Sequence, residues 1–72
     1  MWNYNKLWKL LIDKAMLKKD LAIKASINAS TIAKMEKNMP VSMDVLGRIC
    51  EALECNICDI VDYVPVKEAE AR

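Results

Sequence analysis

Three cysteines, Cys50, Cys55 and Cys58, stand at C-x4-C-x2-C spacing in this 72-residue chain, and closely spaced thiolates are the usual ligands of structural zinc. Such a site takes four ligands. The chain has no His, so the fourth would have to be a carboxylate such as Asp59. Cys50 also falls on an apolar stripe with Ile49 and Leu53, the setting of a thiol that packs like a small hydrophobe, so no metal is expected. A thiol-based redox sensor stays open, because reactivity depends on exposure and pKa rather than on spacing. Without His the commonest proton carrier at neutral pH is missing, and nothing assembles nucleophile, base and oxyanion donors. An enzyme is not expected, and no cofactor or small-molecule ligand is implied. Trp2, Tyr4, Trp8 and Tyr63 are groups on which single-stranded bases stack, but their places favour packing. Trp8 lies on an inner helix face, while Trp2 and Tyr63 sit near the termini, where apolar surface closes a dimer.

Charge gives a stronger signal than any of these groups. The total is +1, yet residues 1–40 carry eight Lys against three acids, a balance of +5, and residues 41–72 balance at −4. A chain divided in this way can turn its first half toward a polyanion while the whole stays near neutral. The plainer reading, that Lys simply solvates helix faces, leaves the partner undetermined.

Seventy-two residues bury only about 60% of the surface exposed by the unfolded chain, enough for one modest core and no deep cleft. With 54% hydrophobic residues the chain is expected to fold. The N-terminal apolar residues are interrupted by Lys6, Lys9, Asp13 and Lys14, unlike a signal peptide, and no apolar run approaches the ~18 residues of a membrane span. A cytoplasmic protein with reduced thiols and no membrane partner is expected.

The pattern predicts a row of short helices. Tyr4, Leu7, Trp8, Leu11, Ile12 and Ala15 recur at a helical period, so helix 1 is expected over 5–16, with Asn3 or Asn5 as its cap. Helix 2 is expected over 18–25, inward through Leu21, Ala22 and Ala25. Asn28 is placed to cap helix 3 over 29–37, inward through Ile32 and Met35, which Asn38 and Pro40 end. Ser42 caps helix 4 over 43–53, and Asn56 with Asp59 resembles a capping box opening helix 5 over 57–62. Pro65 makes 63–66 extended. One domain over 1–66 and a flexible tail over 67–72 are expected.

Two short helices joined by a tight turn outline a helix-turn-helix. Leu21, Ala22, Ala25, Ser26, Ile27, Ile32 and Met35 resemble that motif in the lambda-repressor/Cro-like (Xre) family. Met35-Glu36-Lys37-Asn38 looks like the family's Leu-Glu-Asn-Gly ending, and residues 41–59 resemble its following helices. Ser26 stands where Gly is usual, and Lys18 replaces a frequent Gln. The resemblance implies an all-α, five-helix lambda-repressor-like domain and a sequence-specific regulator that binds double-stranded DNA. It implies that helix 3 enters the major groove with Ala29, Ser30, Thr31 and Lys34 toward the bases. Lys18, Lys19, Asn28, Lys37 and Asn38 would then contact phosphates. A homodimer on an inverted repeat is expected, because one short helix reads few base pairs. The competing reading is an antitoxin-like or adaptor module that uses the same scaffold to bind protein.

Overall fold

A computed structural model describes residues 1–65. The chain is mostly helical: β1 (Trp2–Asn3), α1 (Asn5–Asp13), α2 (Lys18–Ala25), α3 (Ala29–Glu36), α4 (Met43–Leu53), a single 3-10 turn (Ile57–Asp59) and β2 (Asp62–Tyr63). The expected tail over 67–72 lies outside the described residues.

Helices α2 and α4 have the expected bounds. At α4, the Ser42 side chain accepts from the Val45 N–H at 3.2 Å, as its capping role requires. Helix α1 stops three residues early. Lys14 closes it, and Ala15 turns into the left-handed region at φ 54°. Ile12 and Ala15, expected to face inward, are exposed, Ile12 at 75%. The true stripe is Tyr4, Leu7 and Leu11, and Ile12, one residue further round, falls off it. Neither asparagine caps α1 directly: Tyr4 holds that position, while the Asn3 side chain accepts from the Asn5 N–H at 2.9 Å.

The expected fifth α-helix is not formed. Asn56 Oδ1 accepts from the Ile57 N–H at 2.8 Å and Asp59 Oδ2 from the Asn56 N–H at 2.9 Å, which starts one tight turn. Burial of Ile60 then fixes the chain, and Asp62–Tyr63 pairs antiparallel with Trp2–Asn3. The domain therefore has four α-helices and a two-stranded ribbon among the described residues, and is not wholly helical. The Trp2 and Tyr63 rings meet edge to face at 4.8 Å, Lys6 pairs with Asp62 at 3.1 Å, and the Met1 ammonium donates to the Val64 carbonyl.

Each α-helix ends in the same way. Ala15, Ser26, Asn38 and Glu54 all take positive φ, between 52° and 58°. The residue after each donates back to a carbonyl five residues earlier: Met16 to Leu11, Ile27 to Ala22, Met39 to Lys34, and Cys55 to Cys50, at 2.9 to 3.0 Å. These are Schellman caps, which satisfy the last carbonyls of a helix and usually use glycine. Here none does; the chain's one glycine, Gly47, lies inside α4.

The core runs through every helix: Leu7 and Leu11 of α1, Leu21 and Ala25 of α2, Ile32 and Met35 of α3, Leu46, Ile49 and Leu53 of α4, sealed by Tyr4 and Ile60. Its one buried hydroxyl is satisfied, Tyr4 donating to the Met39 carbonyl at 2.8 Å. That bond ties the start of α1 to the segment that leaves α3.

Candidate nucleic-acid interface

Helices α2 and α3 and the turn between them form a corner. Ser26 adopts φ 56°, ψ 49°, so the turn keeps its left-handed residue although glycine is absent. Ala22 and Ile27 are half-buried against the core, where they set the approach of the two helices. From outside, Arg48 of α4 donates through Nη1 to the Ser26 carbonyl at 3.0 Å while its Nε pairs with Asp44 at 3.1 Å. The Arg48–Asp44 pair is readable from i, i+4 spacing; the Ser26 contact joins residues distant in sequence and is not.

Asn28 begins α3 in an extended conformation, and its carbonyl accepts from Thr31 and Ile32 at 3.0 and 3.2 Å. Its side chain makes no capping hydrogen bond and is exposed. Burial of Ile32 and Met35 then fixes which face of α3 is free. Ala29, Ser30 and Lys34 are exposed on it, with Thr31 half-buried at its edge. Thr31 and Lys34 also line a shallow hollow with Pro40, Val41, Ser42 and Val45. Lys37 and the half-buried Asn38 follow the helix, and Asn38 takes the left-handed conformation expected of it.

Lys19 is exposed at the start of α2 and, like Lys34 and Lys37, has no ion pair among the described residues. Lys18 is placed differently. Its Nζ lies 2.7 Å from Glu36 Oε2 and 4.5 Å from the Trp8 ring centroid, so it joins α1, α2 and α3. Sequence reasoning missed Glu36 as a functional neighbour, because residues 18 positions apart give no periodic signal. The acid in the first turn of α2 is spent locally, Asp20 Oδ2 accepting from the Leu17 N–H at 2.9 Å.

The cysteines lie away from this corner. Cys50 and Cys55 are half-buried, Cys58 is exposed, and all three are free thiols. Burial pushes the Cys55 thiol above its usual range, with the neighbouring Cys50 adding to the effect. Among the described residues no three His, Cys, Asp or Glu side chains converge as a metal site, and no helix is long and apolar enough to cross a membrane.

A family model described as the Cro/C1-type HTH DNA-binding domain matches residues 6–66. Among solved structures, the crystal structure of the transcriptional regulator VanUg, Form II, is similar at a TM-score of 0.85 and 48% identity, over 89% of this chain and 85% of that one. No curated protein matches the sequence.

Proposed function

Because the chain belongs to the Cro/C1-type helix-turn-helix DNA-binding domain family, we propose that it is a transcriptional regulator that reads double-stranded DNA by placing α3 in the major groove. The observation that carries this reading is the free face of α3: Ala29, Ser30 and Lys34 exposed, Thr31 at the edge, and Ile32 with Met35 locked in the core behind them. A major groove admits one α-helix and shows a different donor and acceptor pattern for each base pair. On it, the Ala29 methyl meets a thymine methyl, the Ser30 hydroxyl donates or accepts, Thr31 contacts base or phosphate, and Lys34 reaches guanine O6 and N7. The similarity to a structure described as a transcriptional regulator supports the regulatory role.

Lys18, Lys19, Lys37, Asn28 and Asn38 contact phosphates on either side of the groove, which fixes register without reading sequence. A homodimer places two α3 helices about one helical turn apart on an inverted repeat, which gives useful specificity to so short a reading helix. The terminal ribbon, with Trp2 and Tyr63 exposed beside Met1, is the apolar surface on which two copies pair.

Titrating a mixed-sequence duplex against salt tests the reading. Lys19 and Lys37 of two protomers predict a log-log slope of about −3.6 or steeper, from roughly −0.9 per phosphate. Lys19→Ala weakens all duplexes alike, whereas Lys34→Ala relaxes base preference. A slope near zero would instead favour a protein-binding module on this scaffold.

A further inference from the structure

We propose that Glu36 is an internal competitor for DNA phosphate: it holds the Lys18 ammonium in the free protein and so sets duplex affinity below what the lysine content allows. The proposal rests on the reading of Lys18 as a phosphate contact.

Lys18 is the first residue of α2 and Glu36 the last of α3, so the pair spans the two ends of the helix-turn-helix. At 2.7 Å the ammonium is in direct charge-assisted contact with the carboxylate, and Trp8 takes up another side of it at 4.5 Å. An ammonium has three donors and a single positive charge. A phosphate approaching Lys18 therefore meets an ammonium already paired with a carboxylate, and must compete with it. Lys19 and Lys37 carry no such partner among the described residues, so Lys18 alone of the three phosphate-contacting lysines is restrained.

The restraint is reversible. Lys18 and Glu36 side chains are 45% and 46% exposed, so water and salt screen the pair and a phosphate can displace the carboxylate. Exposed ion pairs are worth a factor of about 1.4 to 5 in an equilibrium constant. Two protomers on one duplex compound this to a factor of about 2 to 25. Glu36 thereby tunes affinity and its salt dependence without touching a base.

The test is a double-mutant cycle on the full chain: wild type, Glu36→Gln, Lys18→Gln and both together, each titrated with a mixed-sequence duplex over a salt series. Circular dichroism verifies folding, and Glu36→Ser replaces Glu36→Gln where the amide is not tolerated. Glu36→Gln is expected to tighten binding about 2- to 25-fold and to steepen the dimer's salt slope by up to about 2, from roughly −0.9 for each Lys18 released. That gain is lost or at least halved in the Lys18→Gln background. Unchanged or weaker binding by Glu36→Gln overturns the proposal, since Glu36 would then be neutral or would orient Lys18 for phosphate. An equal gain with and without Lys18 overturns it as well, in favour of simple charge repulsion. Loss of duplex binding by all four proteins would remove the DNA reading itself, a result distinct from wild-type binding that ignores Glu36.

Discussion

Replacing Ser26 with glycine stabilises the domain. Ser26 sits at φ 56°, ψ 49°, where a Cβ crowds the following carbonyl at a cost of about 1 to 2 kcal/mol. Glycine removes that cost, but its larger unfolded-state entropy takes back about 0.5 to 1 kcal/mol. The difference spans about 0 to 1.5 kcal/mol and centres near ~0.75 kcal/mol in favour of glycine, because nothing else is lost. The Ser26 side chain makes no hydrogen bond among the described residues, and the group that Arg48 grips is the Ser26 main-chain carbonyl. For a domain of this size the central value raises Tm by about 3 to 6 °C. Urea unfolding of wild type and Ser26→Gly reads the effect as a higher midpoint at unchanged slope. The inverse change tests the same logic in α4. Gly47 is helical, and a Cβ built there meets nothing within 4 Å, so Gly47→Ala also stabilises, by up to about 1 kcal/mol. A lower midpoint for Ser26→Gly would refute the strained-cap reasoning, and a lower one for Gly47→Ala would show that glycine serves a close approach absent from this structure.

Tyr4→Phe removes the bond to the Met39 carbonyl and is expected to lower stability by about 1 kcal/mol in denaturant unfolding. Burial raises the Tyr4 phenol above its ordinary 10.0, against a smaller opposing effect from a backbone hydrogen bond at Val41. The neutral form is thus favoured in the fold, so its contribution is whole below pH 10.0 and lost as pH rises through the folded value; Tyr4→Phe flattens that alkaline fall. Arg48→Ala frees the Ser26 carbonyl and Asp44, and costs about 0.5 to 1 kcal/mol by thermal unfolding, the low value reflecting solvent exposure of both contacts. Thiol labelling of the native protein at neutral pH modifies exposed Cys58 before half-buried Cys55, whose thiol is held protonated by burial; mass mapping reads the order.

The parts of this fold that local chemistry controls were readable from the chain. Ser42 marks the start of α4, Asn28 the start of α3, and the Ile32 and Met35 spacing fixes which face of α3 stays free. The end of α1 was not readable, because the residue that turns left-handed there is Ala15, which carries none of the usual stop signal. Nor was the end of the chain's helical run. Asn56 and Asp59 announce a helix start, but pairing of Asp62–Tyr63 with Trp2–Asn3, about 60 residues away, decides how far it continues. For the interface, residue types and spacing indicated the free lysines. They could not indicate that Glu36 and Trp8 close on Lys18, or that Arg48 braces the Ser26 turn, since both depend on tertiary packing.

Selection of bound duplexes from a random-sequence pool, at low salt and again at physiological salt, tests the DNA-reading role most directly. Two half-sites in inverted repetition, spaced about one helical turn and retained at the higher salt, are the predicted result. Retention of no duplex at low salt would contradict it.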